Sequence, residues 1–270
     1  MALLFALLLQ SDPVKGDHAV AYGDDAEAVV KTLDEIVGRV EAVFGIDVRT
    51  VALTRKDGRK IMVIPKPDAA IRKAGAKWEI QWADDLPRGD YFRHEVAHLI
   101  FLEAEIGIAK SLEKRKFEKG QYGTVLPDWM DETAAVLGET DLVEERRSTL
   151  TYAVKNDKLI PLAEFFTMHH PGHDEGTGGR KDPSAKNFIF YAQCWGFVQY
   201  LENSYGLVVM HEMLKLAKKD KPVEGVLDWM ARNKGKLAGE TPGVPDTLDA
   251  FDAAWREWAD ARWRGKTQPD

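Results

Sequence analysis

The stretch from Gly89 to Ala109 constrains this chain more than any other. Phe92, Val96, Leu99, Ile100 and Leu102 recur at three- and four-residue intervals, which predicts a helix with one buried face. Inside that apolar pattern lies His94-Glu95-Val96-Ala97-His98. On a helix, His94 and His98 stand one above the other on a single face. Two imidazoles at this spacing can hold one Zn2+, with Glu95 placed to act on a water rather than on the metal. Polar groups set in such apolar surroundings need a partner, so two histidines that merely decorate a surface helix are the weaker reading.

Composition narrows the classes further. The 270 residues carry a formal net charge of -7, which argues against a nucleic-acid partner, because phosphate binding needs a basic face. The basic cluster from Lys110 to Lys119 is broken by Glu113 and Glu118 and reads as a solvated connector. Cys194 is the single cysteine, which excludes an intrachain disulfide and a cysteine-based zinc site. Between Tyr191 and Trp195 it reads as a buried, inert thiol.

Met1 to Leu9 is almost wholly apolar and too short to cross a bilayer as a helix. Residues 1–11 resemble the end of a secretory signal without its positively charged start, so the expectation is an exported chain, periplasmic or extracellular. Without a signal there, the chain would be cytoplasmic. Residues 17–88 read as a small α/β lobe: a strand at Ala19–Tyr22, a helix from Asp24-Asp25 to Gly45, strands at Val48–Leu53 and Lys60–Ile64, and a short helix from Asp68 to Ala74. Trp78-Glu79-Ile80-Gln81-Trp82 alternates as an edge strand would. Residues 89–265 read as a mostly helical lobe, and the whole as an α+β fold with a cleft between the two.

Two histidines leave a zinc site incomplete, so a third ligand is expected downstream. Asp128-Trp129-Met130-Asp131-Glu132-Thr133-Ala134-Ala135-Val136-Leu137 reads as a helix with Asp128 as N-cap and Met130, Ala134 and Leu137 facing inward. Glu132 is the choice. Its neighbour Asp131 points about 100° away on a helix, so only one of the two can face the metal.

These two motifs together, His94 to His98 and Leu126-Pro127-Asp128-Trp129-Met130-Asp131-Glu132-Thr133-Ala134-Ala135, resemble the gluzincin metallopeptidases of the thermolysin-like MA clan. They come nearest the bacterial peptidase MA-like group, where HExxH is followed by Pro-x-Trp-x-x-Glu-Gly-x-Ala. The resemblance implies a zincin-like fold and a zinc-dependent peptidase. His94, His98 and Glu132 would be its ligands, Glu95 its general base, and a peptide or protein its substrate. The chain departs from the pattern at Thr133, where the family carries glycine. That departure keeps a second reading open, an inactive relative that binds peptide or cell-envelope components. The metzincin pattern fails, because Phe101, Leu102 and Glu103 stand where a Gly-x-x-His continuation would begin. More weakly, Tyr191 to Gly206 and Thr247 to Trp258 resemble later helices of the same family.

Tyrosine donates to the oxyanion in many gluzincins, and the resemblance puts Tyr191 in that role, against a plain packing role beside Phe188, Phe190 and Trp195. The segment from Thr167 to Lys186 holds His169, His170, His173, Asp174 and four glycines, and reads as a flap over the cleft or as a polar surface loop. Three features carry no site. His211-Glu212-Met213-Leu214-Lys215 ends on lysine, Gly176-x-Gly178-Gly179 lacks the flanking elements of a phosphate loop, and Trp229, Trp255, Trp258 and Trp263 suit helix packing.

Overall fold

The computed structural model describes residues 12–22, 25–48, 51–56, 62–64, 72–73, 75–76, 78–83, 89–106, 126–168, 186–219, 221–238 and 243–264. The segments expected to form a signal (1–11), the basic connector and most of the histidine-glycine segment lie outside these residues. So does most of the expected helix from Asp68 to Ala74.

Strands β1 (Val14–Lys15), β2 (Ala19–Ala21), β3 (Val51–Lys56), β4 (Met62–Ile64) and β5 (Trp78–Ala83) form one mixed sheet in the order β1-β2-β3-β5-β4. β2, β3 and β5 run parallel, while β1 and β4 close the edges antiparallel. The parallel pair β2–β3 needs a crossover, and helix α1 (Ala26–Phe44) supplies it. Its buried apolar residues, Val29, Val30, Leu33, Ile36, Val37, Val40 and Phe44, repeat at three and four and face the core. Gly45 ends the helix in the left-handed conformation at φ 64°, and a Cβ there would lie 2.7 Å from the ring of His211. That ring hydrogen-bonds to the Ala42 carbonyl, so His211 serves as a docking residue.

β5 corrects the edge-strand expectation. It pairs with β3 on one side and β4 on the other. Alternation of polar and apolar residues reports what the two faces of a strand meet, whereas edge position depends on which backbones pair alongside it.

The remaining elements are α2 (Asp90–Ile106), α3 (Asp128–Gly138), α4 (Val143–Lys155), the short α5 (Leu162–Phe165), α6 (Lys186–Ser204), α7 (Val208–Ala217), α8 (Gly225–Arg232), a 3-10 turn (Lys234–Lys236) and α9 (Leu248–Trp263). The architecture is thus α+β. Buried apolar side chains run as one cluster from α1 through α9. Towards the C-terminal end it is aromatic: Phe197 and Tyr200 each meet Phe251 and Trp255 edge-on or tilted at about 6 Å, and Trp255 meets Trp263 in the same way. Gln193, wholly buried, receives the Ile160 N–H at 3.0 Å and donates to its carbonyl at 2.8 Å, so the chain entering α5 keeps its backbone satisfied inside the core. No helix among the described residues is long and apolar enough to cross a membrane.

Candidate metal centre

α2 and α3 run antiparallel and make the most extensive helix-helix contact among the described residues. The direction follows from their cross-links: Arg93 Nε donates to the Gly138 carbonyl at 2.6 Å near one end, and His98 meets Asp131 at the other. Gly138 permits this approach, since a Cβ there would stand 2.7 Å from the Arg93 carbonyl oxygen and 2.9 Å from Ala97 Cβ. Arg39 of α1 donates to the carbonyls of Leu137 and Glu139, capping the end of α3. Asp90 accepts from the backbone N–H groups of Thr140 and Leu142, which ties the start of α2 to the turn after α3.

α3 begins one residue earlier than the expected N-cap implies. Pro127, which has no side-chain acceptor, occupies the cap position and Asp128 is the first helical residue. Proline at this position loses no helical hydrogen bond, because the first N–H groups of a helix have no partner inside it. Nearly every residue of α3 is buried, carboxylates included: Asp131 and Glu132 are each about 1% exposed.

That burial brings the site together. Glu132 Oε2 lies 3.5 Å from His94 Nε2 and 3.6 Å from His98 Nε2. One ligating atom from each of His94, His98 and Glu132 falls within 4.8 Å of the others. Atoms bound at about 2.0–2.1 Å to one tetrahedral ion stand about 3.3 Å apart, so the three side chains fit a small dication with modest contraction. The opposite nitrogen of each imidazole faces a carboxylate. His98 Nδ1 lies 2.9 Å from Asp131 Oδ1, and His94 Nδ1 lies 2.9 Å from Glu139 Oε1. An ionised carboxylate only accepts, so both Nδ1 atoms carry a hydrogen, and the Nε2 atoms facing Glu132 are the nitrogens that an ion would take up in place of a proton. Asp131, the alternative third ligand in the sequence, is thereby assigned to the far side of His98.

Electrostatics agree with the geometry. Burial alone would lower the pKa of His98, but Asp131, Glu132 and Glu95 outweigh it and push the value up to about 10. Burial lowers that of His94 too, and hydrogen bonds to Glu132 and Glu139 turn the balance upward. Both shifts run the same way, toward the charged form, as in a pocket that favours positive charge. Asp131, Glu132 and Glu139 are three buried carboxylates around the two imidazoles, with Arg146 paired to Glu139, and a dication would take the place of the protons on the two rings.

Glu95 follows His94 on α2 and is partly exposed, while Val96 and Ala97 beside it are buried. Tyr191 of α6 sets its ring edge-on to His94, with centroids 6.0 Å apart. Thr133, the departure from the family pattern, is 1% exposed and donates its hydroxyl to the Trp129 carbonyl at 2.6 Å, so it packs inside α3 rather than lining an open surface. Cys194 is wholly buried, and burial raises its thiol well above the ordinary range.

Glu139 and Arg146 were not foreseen. Arg146 grips Glu139 with two bonds of 2.9 and 2.6 Å, and its guanidinium carbon lies 5.1 Å from the centre of the Tyr191 ring. Glu139 stands seven residues beyond Glu132, two turns along the same face. The general rule that a ligating histidine donates its other nitrogen to a carboxylate was the signal available for finding it. No protein-family model, no curated protein and no solved structure matches this chain.

Proposed function

We propose that this chain is a zinc-dependent metallopeptidase of gluzincin type, with a zincin-like arrangement in which the sheet and α1 flank one side of a substrate cleft and the later helices the other. One observation carries the reading: His94, His98 and Glu132 present three ligating atoms within 4.8 Å, and both imidazoles are backed by carboxylates. His94, His98 and Glu132 would hold the ion. The chemistry zinc supplies at such a set is Lewis acidity, with the pKa of a bound water brought to about 7.

Glu95, at the partly exposed edge of the cluster, accepts a proton as water oxygen bonds to the scissile carbonyl carbon. It then delivers that proton to the departing nitrogen as the C–N bond breaks. Tyr191, beside His94, donates its phenolic hydrogen to the carbonyl oxygen as that atom gains charge. The apolar start of the sequence suits an exported peptidase acting on peptide or protein outside the cytoplasm.

The test is zinc content by elemental analysis for the wild type, His98→Ala, Glu132→Ala and Glu95→Gln, with digestion of a peptide library alongside. Near-stoichiometric zinc is expected in the wild type and in Glu95→Gln, with a sharp fall in the other two. Turnover in Glu95→Gln should drop by about 10²–10⁴-fold, the usual contribution of a general base. A wild type that takes up no zinc, or a Glu95→Gln enzyme of full activity, refutes the reading.

A further inference from the structure

Arg146 occupies a place that its ion pair alone does not explain. It is 6% exposed, and burying a guanidinium against a carboxylate is at best weakly stabilising, since apolar side chains of similar volume often serve a fold as well. Yet four elements, its own included, meet around it. Arg146 comes from α4, Glu139 from the end of α3, His94 from α2 and Tyr191 from α6. Glu139 Oε1 is shared, receiving Arg146 Nη2 at 2.6 Å and His94 Nδ1 at 2.9 Å. Glu139 Oε2 receives Arg146 Nε at 2.9 Å, so neither oxygen can swing away. The same guanidinium lies over the Tyr191 ring, 5.1 Å from its centre, and that ring stands edge-on to His94.

We propose that Arg146 is a positioning residue of the metal centre. By clamping both oxygens of Glu139 it holds the His94 ring with Nε2 toward Glu132, and by lying over the Tyr191 ring it places the phenol beside the same imidazole. The inference rests on the metal-centre reading above. Lysine cannot substitute fully, because a point charge neither forks onto both oxygens nor stacks as a plane.

The sign of the effect on zinc affinity separates this role from a bystander's. A positive charge near a dication repels it, so removing a bystander arginine should leave zinc binding equal or tighter. Removing an orienting arginine should loosen it. Zinc affinity would be measured by chelator competition at one pH on the full chain, as wild type, Arg146→Met, Arg146→Lys, Glu139→Gln and the Arg146→Met/Glu139→Gln double variant. Circular dichroism and urea midpoints would verify that each is folded. Arg146→Met is expected to bind zinc about 10–100-fold more weakly, the usual effect of losing support behind a ligand. Arg146→Lys should recover only part of that loss. The double variant should be no weaker than the weaker single one, because both substitutions break the same support. Unchanged or tighter binding in Arg146→Met, while Glu132→Ala loses its zinc, overturns this role and leaves the centre standing. No binding in the wild type overturns the centre, and this role with it.

Discussion

Gly138→Ala tests whether the close approach of α2 and α3 builds the site. The added Cβ would lie 2.7 Å from the Arg93 carbonyl oxygen, 2.9 Å from Ala97 Cβ and 3.2 Å from the Arg93 carbonyl carbon. Ordinary carbon contacts are about 3.5–4.0 Å, so the helices must part locally by roughly 0.5–1 Å. Two of the three opposing atoms belong to backbone and cannot rotate aside. Overpacking of this kind costs about 1–3 kcal/mol. Alanine would return up to about 1 kcal/mol of helix propensity, and less than that here because Gly138 is the last helical residue. The clash therefore wins by about 1–2 kcal/mol, a fall in Tm of roughly 2–8 °C for a chain of this size.

The control is Gly38→Ala on α1, an exposed glycine with nothing within 4 Å of the new Cβ. There propensity acts alone, and a gain of about 0.5–1 kcal/mol is expected. Thermal and urea unfolding of chelator-treated protein read both. Gly138→Ala should also weaken zinc uptake, because metal sites tolerate shifts of only about 0.2 Å and α3 carries both Glu132 and Asp131. Equal stabilisation by the two substitutions would refute the contact argument.

In metal-free protein His98 is raised to about 10 against an ordinary value of 6.5, so its contribution to stability is complete below pH 6.5 and is lost as pH climbs toward 10. Urea midpoints of the chelated chain should fall across that window and fall less in Asp131→Asn; profiles of identical slope would remove Asp131 as the cause. Gln193→Met leaves the buried N–H and carbonyl of Ile160 without their amide partner, and should cost about 2–4 kcal/mol by urea unfolding. A loss under about 1 kcal/mol would mean those groups are satisfied elsewhere.

Some of this molecule was legible in the sequence because the relevant physics is local. The period of apolar residues marks α1 and α2, Gly45 marks the end of α1, and the four-residue step from His94 to His98 places both rings on one face before any tertiary contact exists. Glu132 is expected near the pair because a zinc site with two histidines requires another ligand, and the fold does bring its carboxylate to both rings. The partners behind the rings were not legible. Whether Asp131 or Glu132 meets the imidazole Nε2 atoms depends on the rotation of α3 against α2, which close packing at Gly138 sets and no local pattern encodes. Glu139, Arg146 and Tyr191 belong to three segments that only folding brings to His94. β5 looked like an edge because alternation reports its faces, while its place between β3 and β4 was decided by backbone pairing across the sheet. Sequence alone therefore determined the chemical groups and the helix that carries them. Tertiary structure decided which carboxylate faces the Nε2 atoms of His94 and His98 and which ones back the two rings, because those choices turn on distances between segments far apart in the chain.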